Sequence, residues 1–88
     1  MPVLLCSDGD SGAPAQGSVV NRSRGGLGIV VAKSIPRGTI IRVRPVEAPE
    51  DVAWVQLEVR NCRYRRNEYY VGCRFLGEPA WNVVLLFG

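Results

Sequence analysis

The chain has 88 residues, 47% of them hydrophobic and 22% charged, with a formal net charge of +3. These values allow one small domain with a packed core and argue against disorder. There is no histidine, and the three cysteines (Cys6, Cys62, Cys73) form no C-x-x-C pair, which removes the usual zinc sites, His-based acid–base catalysis and a disulfide framework.

The charge is uneven. Lys33 is the only lysine, every other cation is arginine, and all of them lie at or after Arg22. Arginine suits planar, bidentate contact with phosphate, carboxylate or guanine. No apolar run approaches the roughly 20 residues needed to span a bilayer. Met1-Pro2-Val3-Leu4-Leu5-Cys6-Ser7 mimics a lipobox, but it has neither a basic leader nor a long apolar region, so it reads as a first strand. A soluble, cytoplasmic protein is expected.

In chain order, residues 2–6 predict a short strand, and Ser7 to Ser18 a polar loop rich in Gly and Pro. Val19 to Arg22 reads as extended, Gly25-Gly26 as a turn, and Leu27 to Ala32 as a strong apolar strand. Pro36-Arg37-Gly38 marks a tight turn. Thr39 to Arg44 alternates, with Ile41 and Val43 on one face and Ile40, Arg42 and Arg44 on the other. After the Pro45–Asp51 loop, Val52 to Tyr64 predicts a long strand, bulged near Asn61, with Val55, Leu57 and Val59 inward. Arg65 to Glu68 forms a hairpin tip, and Tyr69 to Leu76 returns with Tyr69, Val71, Cys73 and Phe75 on one face. The tail, Glu78 to Gly88, fits one or two helical turns with Pro79 near the start. Its apolar residues must be covered by the barrel or by a partner. The fold expected is all-β: a small six-stranded antiparallel barrel over about residues 2–77, with a short helical or extended tail at 78–88, in a single domain.

The most informative stretch is Asn21-Arg22-Ser23-Arg24-Gly25-Gly26-Leu27-Gly28. Asn21 and Ser23 share a face if the strand stays extended, and the glycines beyond leave room for a ligand or another backbone. A plainer role is also open, because Asn and Ser readily cap a strand-to-turn junction. Gly26-x-Gly28 lacks the third glycine and the helix of a dinucleotide fingerprint. Asp8-Gly9-Asp10-Ser11-Gly12 lacks the distal glutamate of a calcium loop and reads as solvated. Arg60, Arg63, Arg65 and Arg66, interleaved with Tyr64, Tyr69 and Tyr70, form a candidate partner-binding hairpin or a solvated one balanced by Glu58 and Glu68. No nucleophile with a base is present, so no enzyme is expected.

Asn21-x-Ser23-x-x-Gly26 resembles the D/N-x-S-x-x-G motif of PilZ domains, the bacterial receptors for cyclic di-GMP. The apolar Leu27-Gly28-Ile29-Val30 strand, the Pro36-Arg37-Gly38-Thr39 turn, Glu58-Val59-Arg60 and Tyr70-Val71-Gly72-Cys73-Arg74-Phe75-Leu76 follow in the family's order. The resemblance implies a six-stranded barrel of the split-barrel type, working in signal transduction. It also implies a cyclic di-GMP site at Asn21, Ser23, Gly25 and Gly26, with no other cofactor and no metal. The family's R-x-x-x-R motif, whose arginines wrap the ligand, does not occur before the first strand; either it has been shed or it lies upstream of Met1. Arg22 and Arg24 are candidate substitutes, although strand alternation turns them away from Asn21 and Ser23. Two functions compete. One is a cyclic di-GMP-binding module, weak or non-binding without those arginines. The other is a ligand-independent adaptor that docks a protein through the Arg-rich hairpin and the apolar tail. Nucleic acid is not an expected partner.

Overall fold

The computed structural model describes residues 1–7 and 14–87. The Asp8 to Gly12 stretch, the Trp81 side chain and Gly88 lie outside the described residues. Six strands form: β1 (Pro2–Ser7), β2 (Ala15–Arg22), β3 (Gly26–Val31), β4 (Ile40–Pro45), β5 (Val55–Arg65) and β6 (Glu68–Phe75). They close into an antiparallel barrel in the order β1-β2-β3-β6-β5-β4, with β4 pairing back onto β1. Closure pairs each of these six strands on both sides.

Period-two alternation decides the interior. Val3, Leu5, Val19, Leu27, Ile29, Val31, Ile41, Val43, Leu57, Val59, Val71, Cys73 and Phe75 point inward and are buried. A barrel this narrow is filled by its own side chains. The expected inward series of β4 and β6 hold, except that Tyr69 at the hairpin end is only partly covered.

Two differences from the sequence reading have clear causes. The loop expected up to Ser18 ends earlier, because β2 begins at Ala15 and its first residues pair with β1 on one side and β3 on the other. Ladder hydrogen bonds on both sides override weak local strand preference. The tail divides its apolar residues. After α1 (Trp81–Val84) and a 3₁₀ turn (Leu85–Phe87), Val84 and Phe87 are buried, whereas Leu85 and Leu86 remain exposed.

The predicted turns form. Gly38 takes a φ of 89°, and the Thr39 N–H donates to the Pro36 carbonyl at 3.2 Å. At the β5–β6 tip Arg65 pairs with Glu68, and the two loop residues between them have positive φ, 52° at Arg66 and 65° at Asn67. Positive φ at both central positions is the type I′ geometry that matches the twist of a two-residue hairpin. The β5 bulge falls where it was expected, between Val59 and Asn61, and a second one interrupts β2 between Val19 and Asn21.

Candidate functional site

Those two bulges build the site. Each inserts one residue, Val20 in β2 and Arg60 in β5, so that Asn21 and Asn61 come to the outer face. Asn21 lies opposite Gly28, Gly28 opposite Gly72, and Gly72 opposite Asn61. One row across four strands therefore has side-chain amides at its ends and glycines in its middle. A surface hollow of about 270 Å³ opens over this row, bordered by Ser23 and Gly25 at one end and by Arg60, Arg74 and Tyr70 at the sides.

The glycines are not left bare. A Cβ on Gly28 would collide with the phenol of Tyr70, lying 2.8 Å from its Cζ. A Cβ on Gly72 would sit 2.8 Å from the Asn61 amide oxygen. On Gly26 it would be driven into the Cys73 backbone, where β3 and β6 come closest. Gly26 and Gly28 thus allow close packing within the barrel wall, whereas a Cβ on Gly25 would make only an ordinary contact, 3.8 Å from the Ser23 hydroxyl.

Ser23 is a cap. Its hydroxyl accepts from the N–H groups of Gly25 (3.2 Å) and Gly26 (3.3 Å), and the Ser23 N–H donates to the Gly26 carbonyl at 3.0 Å. The amides expected to face a ligand are therefore engaged locally. Asn21 differs. It is exposed on the rim, and among the described residues its side-chain amide has no hydrogen-bond partner.

Neither Arg22 nor Arg24, the candidate substitutes for the missing arginines, lines this hollow. The β2 bulge puts Asn21 outward and leaves Arg22 opposite Leu27, on the inward series; from the barrel end its Nη1 donates to the Leu85 carbonyl at 3.3 Å. The Ser23–Gly26 turn carries Arg24 to a separate hollow beside Gly77, Glu78 and Pro79.

The hollow's cations come from the other end of the row, on β5 and β6. Arg74 Nη2 donates to Glu58 Oε1 at 2.8 Å, and Arg60 Nη1 reaches the same oxygen at 3.4 Å. The hydrogen bond from Arg74, reinforced by Arg60, holds the Glu58 carboxyl below its ordinary range, with partial desolvation acting the other way. Sequence reasoning placed Arg60 and Tyr70 with the hairpin and assigned neither Arg74 nor Asn61 to a site. A partial signal was available, since Tyr70, Gly72 and Arg74 form the outward series of β6 opposite the inward one. That β6 lies beside β3 was not readable from either strand.

Arg63, Arg65 and Arg66 line a neighbouring hollow of about 470 Å³ beside the hairpin, and Tyr70 borders both hollows. Cys73, buried in the barrel, has its thiol pushed up to about 12 by desolvation, with Cys62 nearby adding to it.

A small closed barrel carrying a polar hollow rimmed by arginines has the makings of a binding module. The family model for the PilZ domain matches residues 2–82, and the chain belongs to that family of cyclic di-GMP-receptor-type domains. No curated protein and no solved structure matches it. Among the described residues no helix is long and apolar enough to cross a membrane.

Proposed function

We propose that this domain is a signalling module that binds cyclic di-GMP across the hollow over Gly28 and Gly72. The observation that carries the reading is the convergence of the unengaged Asn21 amide with the guanidinium groups of Arg60 and Arg74 at one surface hollow. An amide can read a guanine edge, and an arginine fork suits a phosphate or the guanine Hoogsteen edge. A volume of about 270 Å³ lies at the small end of the roughly 300–1,000 Å³ usual for ligand sites. It holds one base or one phosphate, and the rest of the ligand lies along the barrel surface. Glu58 competes for both arginines, so binding is weak until the carboxylate is displaced.

The test is titration calorimetry with cyclic di-GMP. Binding heat that disappears in Asn21→Ala and in Arg74→Ala, with the fold intact by circular dichroism, supports the site. A good bidentate contact is worth about 1–3 kcal/mol, so Arg74→Ala weakens binding roughly 5- to 150-fold. Absence of heat at high ligand concentration, also after an Arg-containing N-terminal extension is added, overturns the reading.

One observation favours the second reading, a ligand-independent interaction barrel. Ser23, Gly25, Gly26, Arg60 and Arg74 already satisfy one another or Glu58, whereas Arg63, Arg65 and Arg66 have no carboxylate within ion-pair distance among the described residues. Pull-down of a partner that survives loss of Asn21 but not charge reversal at the hairpin would favour it.

A further inference from the structure

We propose that the β5–β6 hairpin and its hollow form a docking surface for an acidic segment of a partner protein, anchored by one aromatic or aliphatic side chain. The proposal rests on the interaction-barrel reading and names the chemistry of its partner.

The hairpin is cationic at a local cost. Arg66 occupies a left-handed position, φ 52°, in a type I′ turn that asparagine or glycine fills with less strain. Arginine there is not the residue that backbone geometry favours. Nor is its charge used within the barrel. Arg63, Arg65 and Arg66 have no ion-pair partner among the described residues, although Glu68 stands in the same hollow. Three guanidinium groups without an ion pair among the described residues, on four consecutive residues, make an electropositive tip that steers an acidic chain and accepts its carboxylates in bidentate fashion.

The hollow between them has an aromatic lining that is already positioned. Tyr64 is 63% exposed, yet its hydroxyl donates to Asn67 Oδ1 at 2.9 Å and its ring meets Tyr69 edge-on at 5.1 Å. Arg63 lies over the Tyr70 ring at 5.7 Å. Val30 completes the floor. A Tyr64 ring already held by Asn67 and Tyr69 beside an Arg-lined apolar recess matches the composition of interaction hot spots, because little freedom of that ring remains to be lost on binding. The recess suits one large side chain flanked by acids.

A nucleic-acid strand fits less well. The arginines cluster at one tip and form no track for successive phosphates.

The experiment is fluorescence anisotropy on the full chain. The probes are a short labelled peptide of glutamates with a central phenylalanine, the same peptide with a central serine, a lysine version, and an oligo-uridylate of matched charge. The phenylalanine peptide is expected to bind at least tenfold more tightly than the serine one. The double variant Arg65→Glu, Arg66→Glu is expected to lose binding, and Tyr64→Ala to weaken it about tenfold. The neutral Arg65→Gln, Arg66→Gln pair serves if charge reversal disturbs folding. No binding of the phenylalanine peptide, equal binding by the double variants, or preference for the oligo-uridylate would overturn the proposal. Specific capture of the lysine peptide at this hairpin keeps the interaction reading and still refutes the acidic partner. None of these residues borders the hollow over Gly28, so any cyclic di-GMP heat is expected unchanged in the same variants.

Discussion

Gly26 and Gly28 lie two residues apart on the outer face of β3, and alanine at each has opposite consequences. At Gly26 a methyl group would be driven into the Cys73 carbonyl, 2.9 Å from its carbon and 3.1 Å from the Arg74 Cα. All of these are backbone atoms of a strand held on both sides in a closed barrel, so relief requires β3 to move away from β6. Overpacking costs about 1–3 kcal/mol. Loosening the Gly26–Arg74 ladder adds about 1 kcal/mol per hydrogen bond. With one such bond loosened, a total of about 2–4 kcal/mol is a large share of the roughly 5–15 kcal/mol available to a small domain. Gly26→Ala is therefore expected to lower Tm by more than about 10 °C. At Gly28 the nearest obstacle is the end of the Tyr70 side chain, which can swing aside, and the Asn21 Cβ at 3.2 Å needs to yield by only a few tenths of an ångström. Gly28→Ala is expected to cost no more than about 1 kcal/mol while filling the hollow and displacing its wall. If the domain binds cyclic di-GMP there, affinity falls at least tenfold, about 1.4 kcal/mol. Urea denaturation and calorimetry of both variants read the contrast. Equal destabilisation by the two alanines, or a silent Gly26→Ala, would refute the reasoning.

Glu58→Gln frees Arg60 and Arg74 from their shared carboxylate and is expected to tighten cyclic di-GMP several-fold in calorimetry; unchanged or weaker affinity speaks against competition at the hollow. Because its folded carboxyl lies below the ordinary 4.5, the Glu58 contribution to stability is present above that pH and is lost as pH falls through the folded value. Acid melts of wild type and Glu58→Gln should converge there. Cys73 behaves in the opposite sense: its thiol is raised from 9.0 to about 12, so stability declines as pH rises through that interval. Cys73→Ala should flatten the alkaline limb, and native Cys73 should resist thiol reagents at neutral pH. Phe87, 2% exposed at the end of the tail, closes the core, and Phe87→Ala should cost about 3–5 kcal/mol by denaturant titration. Replacing Arg66-Asn67 by Asn-Gly relieves a left-handed arginine and should stabilise the hairpin by about 1 kcal/mol; a fall in Tm would contradict the strain argument.

Much of the barrel could be read from the chain alone, because strand alternation and turn chemistry are local. Leu57 and Val59, Val71 to Phe75, the Gly38 turn and the bulge beside Asn61 each follow from neighbours within a few residues. The Asn21-to-Gly26 motif pointed to the family for the same reason. Its physical meaning was not local. Gly26 packs against β6, Ser23 caps its own turn, and Asn21 alone remains available to a ligand.

Only the tertiary structure brought arginines to that asparagine. Arg22 and Arg24, nearest in sequence, are turned away by the β2 bulge and the Ser23–Gly26 turn. Arg60 and Arg74 arrive on β5 and β6, which strand pairing sets beside β3, and are held by Glu58. The sequence by itself determined which residues face inward, since side-chain direction along a strand has a period of two. Which outward residues become neighbours depends on strand order and register. Those are decided when the whole sheet closes around its core, and no single segment encodes them.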